Sequence, residues 1–157
     1  MSQTDYYDSH RKNLMNVLGD KYKMAKLVDG ERIPIEQYYQ KMYDSKIIMA
    51  PIGYGEMAPR DIEATMFGSV LMKPDMSYIN SEPFIYQDDE TYIAVNYDWS
   101  NLEEKIDYVL SDYNNIRERL VYNMKKRYKE KYDFKNLVLH VYDIFSKLDS
   151  IETIDGE

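Results

Sequence analysis

The sequence predicts an α/β fold: a parallel sheet with crossover helices, followed by a helical C-terminal segment. Three observations carry that expectation. Short, nearly continuous apolar runs at 46–51, 69–73 and 91–95 have the pattern of strands covered on both faces. Helix-period segments alternate with strand-like ones from residue 22 to residue 73, the alternation of right-handed βαβ crossovers. From residue 100 onward apolar residues recur at helical spacing alone.

The elements follow in order. Residues 1–8 read as disordered. Ser9 is placed to cap a helix that turns Leu14, Val17 and Leu18 inward and stops at Gly19. Residues 22–28 read as a strand ended by Asp29 and Gly30. Pro34 suits a first helical position, and Ile35, Tyr38, Tyr39 and Met42 then form one stripe. A short helix over 59–67, opened by Pro59 and closed by Gly68, separates the strands at 46–51 and 69–73. A long loop over 74–90 leads to the strand at 91–95. Ser100 and Glu103 carry the spacing of a capping box. Leu102, Ile106, Val109 and Leu110 face inward beyond it, and Tyr113, Ile116, Leu120 and Met124 continue the stripe. Asp133 caps a last helix whose apolar line is Phe134, Leu137, Val138, Val141, Phe145 and Leu148. The tail, 149–157, is acidic.

Bulk properties narrow the function. The chain has 157 residues, a length suited to one domain, and its 44% hydrophobic and 31% charged residues are ordinary for a globular protein. A formal charge of −8 opposes nucleic-acid binding, which relies on lysine and arginine to neutralise phosphates. The absence of cysteine excludes disulfides and thiolate chemistry. The N-terminus lacks the apolar core of a signal peptide, and no apolar run approaches the length of a transmembrane segment, so a cytoplasmic protein is expected. His10 and His140 are far apart, and no cluster has metal-ligand spacing, so neither a metal nor another cofactor is expected. The 17 tyrosines read mainly as amphipathic packing residues, for example Tyr108, Tyr113 and Tyr142.

The stretch GYGEMAPRDIEATMFG, residues 53–68, holds the candidate site. It follows a strand of the expected parallel sheet, and ligands of such sheets bind beyond the carboxyl ends of strands. Gly53 and Gly55 permit unusual backbone angles and close approach of a ligand. Pro59 starts a helix without wasting a donor, and the free amides there attract an anion such as phosphate. Glu56, Arg60 and Glu63 share one helical face if the helix runs through all three. On that face a carboxylate can accept both ribose hydroxyls and an arginine can meet phosphate. Spacing alone favours a solvated charge ladder, Arg60 pairing with Glu63 or Glu56.

The same stretch resembles the donor-site segment of GT-B-fold glycosyltransferases, of the group 1, family-4-like type and the spore-maturation-type glycosyltransferase-like proteins. The likeness lies in Glu63-Ala64-Thr65-Met66-Phe67-Gly68 followed by Ser69-Val70-Leu71-Met72, in Arg60-Asp61-Ile62-Glu63-Ala64, and in Lys73-Pro74-Asp75-Met76. It continues through Glu90-Thr91-Tyr92, Tyr97-Asp98-Trp99 and Leu102 to Ile106, and covers roughly residues 9–148. The resemblance implies a single Rossmann-like domain, the C-terminal half of a GT-B fold. It implies that Glu63 holds the ribose of a nucleoside-diphosphate sugar, and that Gly53, Tyr54, Gly55 and Arg60 face the diphosphate and donor sugar. Glu56 resembles the first glutamate of the family's paired-glutamate motif, at a separation one residue shorter. Arg11 and Lys12 resemble basic residues that neutralise the diphosphate. The implied activity is retaining transfer of a sugar to an acceptor hydroxyl, completed by a separate acceptor-binding domain or by self-association. No catalytic base is identifiable, and the alternative is a non-catalytic nucleotide-sugar-binding or protein-interaction module.

Overall fold

The computed structural model describes residues 3–19, 33–53, 55–79 and 85–133, and residues 135, 136, 138, 139, 141–143, 145 and 146. Its elements are α1 (Gln3–Leu18), α2 (Ile35–Asp44), β1 (Ile47–Met49), α3 (Pro59–Phe67), β2 (Val70–Pro74), β3 (Ile93–Val95), α4 (Leu102–Ser111) and α5 (Tyr113–Tyr132). The strands form a three-stranded parallel sheet in the order β1-β2-β3. Ile48 pairs with Leu71, and Lys73 with Ala94. The expected α/β class with a parallel sheet is thus observed. The strand expected at 22–28 and the tail at 149–157 lie outside the described residues.

Helices cover both faces of the sheet. Alternate strand residues Val70, Met72, Ile93 and Val95 pack with Leu14 and Leu18 of α1, Leu102, Ile106 and Val109 of α4, and Ile116 and Leu120 of α5. On the opposite face Ile48, Leu71 and Ala94 pack with Met42 of α2, Ala64 of α3 and Met124 of α5. Two-sided coverage explains why β2 and β3 are buried at every position and why their sequence lacks the alternation of a half-exposed strand.

Several boundaries depart from expectation. α1 begins at Gln3, so residues 3–8 are helical and Ser9 lies inside the helix. Pro34 is the residue before α2, and Ile35 and Tyr39 of that stripe are exposed. The capping box of Ser100 and Glu103 does not form, because α4 starts one residue later, after Asn101. The Ser100 hydroxyl instead accepts from Asn96 Nδ2 at 2.8 Å, and the Asn101 side chain accepts the Asn96 amide at 2.8 Å. These bonds tie the start of α4 to the end of β3. Leu110 is 42% exposed, as are Tyr108 and Tyr142 to 40% and 71%, so of the three tyrosines expected to pack only Tyr113 is half-buried. Val138, Val141 and Phe145 are also exposed, while Phe134, Leu137 and Leu148 lie outside the described residues.

The turn after β3 seats α1. Trp99 has a φ of 65° and is completely buried. That backbone conformation costs a non-glycine residue about 1–3 kcal/mol. Burying an indole of about 150–250 Å² contributes roughly 4–6 kcal/mol at about 25 cal/mol per Å², so packing outweighs strain. The indole Nε1 donates to the His10 carbonyl at 3.2 Å, and the imidazole stacks on Trp99 and Tyr97 at centroid distances of 4.6 and 4.4 Å. His10 Nε2 lies 3.0 Å from the Tyr97 carbonyl. A carbonyl only accepts, so Nε2 carries the proton. Nδ1 is buried with no partner among the described residues.

Burial, aided by the neighbouring Arg11 charge, lowers the His10 pKa from its ordinary 6.5. The unfolded chain therefore binds more protons than the folded one between that lowered pKa and 6.5, and stability rises with pH across this window. Urea melts taken at pH 7.5 and at successively lower pH should show this loss on acidification, and His10→Phe should reduce it. Gly68, the stop of α3, has a φ of 73°, and a Cβ there would lie 2.6 Å from an Arg117 guanidinium nitrogen. Gly68→Ala should accordingly lower stability by about 1–2 kcal/mol from backbone strain alone, more if Arg117 is displaced, as read from denaturant midpoints.

Candidate functional site

The loop at 53–58 leaves the carboxyl end of β1 and feeds α3, which returns the chain to β2. Pro59 opens α3 and Gly68 closes it, the bounds that these two residues dictate. Neither Gly53 nor Gly55 adopts a left-handed backbone. Gly53 instead lies close to the exposed Arg11 side chain. A Cβ there would lie 3.0 Å from an Arg11 guanidinium nitrogen. The seating of α1 by Trp99 and His10 thus carries Arg11 onto the loop. Lys12, its neighbour on α1, is exposed, and no hydrogen bond or ion pair joins it to the loop among the described residues. Tyr54 lies outside the described residues.

Glu56 precedes the helix and is exposed, so it does not share a helical face with Arg60 and Glu63. Those two are half-buried on α3. The solvated ladder is not formed either: no ion pair joins Arg60 to Glu63 or Glu56 among the described residues. Glu63 is held by α2, where the Tyr38 hydroxyl donates to its Oε2 at 2.5 Å. Burial and then the Glu63 bond raise the Tyr38 pKa, against the pull of the nearby Arg60 charge, so the phenol stays a donor at neutral pH. Arg60 Nε is buried with no hydrogen-bond partner among the described residues.

Beneath the loop lies a buried charged cluster that reading the sequence for ligand contacts missed. Asp61, third residue of α3, and Lys73, on β2, are each 1% exposed and form an ion pair of 2.7 Å. Lys73 Nζ also donates to the Glu56 carbonyl at 2.6 Å. Asp61 Oδ2 further accepts the Tyr86 hydroxyl at 2.5 Å and the Ala58 amide at 3.1 Å. The ammonium lies 4.5 Å from the centroid of the Tyr86 ring. Burial lowers the Lys73 pKa, and the charge of Asp61 opposes that shift. The signal available in the sequence was a lysine inside an otherwise apolar, fully buried strand. The cluster also changes the expected anion site. The start of α3 already receives an internal anion, the Asp61 carboxylate, which takes one of the amides there.

Fold and site together define an α/β domain with an open parallel sheet. A basic side chain and a carboxylate-bearing helix meet a glycine loop at the carboxyl edge. The sequence matches no family model and no curated protein. Among solved structures it is similar to the C-terminal domain of a glycosyl transferase group 1 family protein (LpcC) from Francisella tularensis. Identity is 18% and the TM-score 0.46, over 82% of this chain and 63% of that one.

Removing the lysine would leave the Asp61 carboxylate buried without its counter-charge. Lys73→Met should therefore destabilise the fold by about 3–5 kcal/mol, measured by urea unfolding at neutral pH.

Proposed function

We propose that this chain is the donor-binding part of a GT-B-type glycosyltransferase. It would hold a nucleoside-diphosphate sugar whose sugar passes, with retention, to an acceptor hydroxyl. The observation that carries this reading is the approach of the exposed Arg11 guanidinium to Gly53, at the carboxyl edge of a parallel sheet. A cation at that place suits a diphosphate, and Arg11 is one of the residues that the motif resemblance assigns to it. Glu63, oriented by Tyr38, would accept the ribose hydroxyls. Arg60, with an unpartnered buried Nε, would meet the phosphate or the sugar. Exposed Glu56 is free to meet the donor sugar from the loop. Transfer would rest on holding donor and acceptor in register and on stabilising the departing diphosphate. The acceptor-binding half would come from another domain, a partner chain or a second copy of this one.

One observation favours a second reading, a non-catalytic nucleotide-sugar-binding or interaction module. The Asp61 carboxylate at the start of α3 offsets the pull of that helix end on phosphate.

A thermal-shift series with UDP, GDP, ADP and dTDP tests the donor reading. One of them, at a hundred times its dissociation constant, should add about 2.7 kcal/mol and raise the melting temperature by about 5–10 °C. Glu63→Ala, while still folded, should lose most of that shift. No shift with any nucleotide in a well-folded sample would overturn the reading.

A further inference from the structure

Lys73 makes one bond more than its pairing with Asp61 requires. Its ammonium joins three elements: β2, which carries it; the start of α3, through Asp61; and the loop, through the Glu56 carbonyl. Tyr86 closes the remaining side with its ring against the ammonium and its hydroxyl on the shared carboxylate oxygen. Enclosing a charge this fully is costly, and apolar side chains of similar size commonly serve stability as well or better. Stability alone therefore does not call for a lysine among Val70, Leu71 and Met72. The described residues of the loop, by contrast, have few other ties. Gly55, Glu56 and Met57 are exposed, and the amide of Ala58 is bound only through the same Asp61 oxygen. A segment with so few buried contacts opens locally at low cost unless it is tied.

We propose that Lys73 is a positioning residue: through the Glu56 carbonyl it fixes residues 55–58 of the loop to the sheet edge in the shape that receives the nucleotide diphosphate. This rests on the donor reading above. The lysine itself touches no ligand. It acts through the loop backbone, so its loss should loosen the loop and weaken binding even where the fold is intact.

The experiment compares the wild-type chain, Lys73→Met and the double variant Lys73→Met/Asp61→Asn. The double variant removes both charges together, and an asparagine oxygen can still accept from Ala58 and Tyr86. Its melting temperature should recover most of what Lys73→Met loses. Hydrogen exchange followed by mass spectrometry should nevertheless show amides 55–58 exchanging on the order of tenfold faster than wild type in the double variant, with β2 and β3 unchanged. Titration with whichever of UDP, GDP, ADP or dTDP binds the wild type should give a dissociation constant weaker by a similar factor. Wild-type exchange in the loop, or wild-type affinity, in a double variant that melts like the wild type would overturn the positioning role and leave the donor reading standing. If the wild-type chain binds none of the four, the donor reading falls and the nucleotide part of this proposal falls with it. The loop exchange rates then decide the mechanical tie alone.

Discussion

An ammonium and a carboxylate taken out of water need new partners, and the Lys73–Asp61 pair draws them from its surroundings through Asp61 Oδ2, while Oδ1 is buried with no partner among the described residues. Between them the two groups engage the Glu56 carbonyl, the Ala58 amide and the Tyr86 hydroxyl. A polar network of this kind couples the elements that its members come from. The loop, the start of α3, the end of β2 and the segment carrying Tyr86 are accordingly fixed relative to one another. Once the start of α3 is tied to the strand edge, the rest of the helix has one orientation left. Ala64 and Thr65 turn into the core, and Glu63 stands at the side where α2 supplies Tyr38.

The glycine-to-glycine block therefore mixes two kinds of residue. Gly68 ends α3 in a left-handed conformation, packs against Arg117 and accepts a hydrogen bond from its Nε. Ala64 is completely buried, where a larger side chain would push the helix off the sheet. Asp61 belongs to the buried pair. These three explain much of the pattern by packing and electrostatics alone. Gly53, Glu56, Arg60 and Glu63 remain at the loop and its flank, where half-buried or exposed polar groups are available to a ligand.

How far the sequence revealed this depended on where each cause lies. α3 was legible to the residue because Pro59 and Gly68 are local punctuation. The buried strands were legible because two-sided coverage leaves a continuous apolar run. The start of α4 was not, since Asn96, at the end of β3, engages the side chains of both Ser100 and Asn101 and overrides the local cap. The approach of Arg11 to Gly53 could not follow from spacing, because it depends on how Trp99 seats α1. The conditional face of Glu56, Arg60 and Glu63 does not form because Pro59 opens the helix only after Glu56. Asp61 and Lys73 lie 12 residues apart on different elements, and nothing local announces their pairing.

The stack of His10 on Trp99 joins residues 89 apart in the chain. Order of synthesis and order of assembly consequently differ. α1 is made before β3, yet its seat does not exist until the chain has been extended past Trp99. Until then Leu14 and Leu18 lack Val95, Trp99 and the helices that follow as packing partners. α1 is in this sense a late arrival, and the edge of the sheet stays open until it docks.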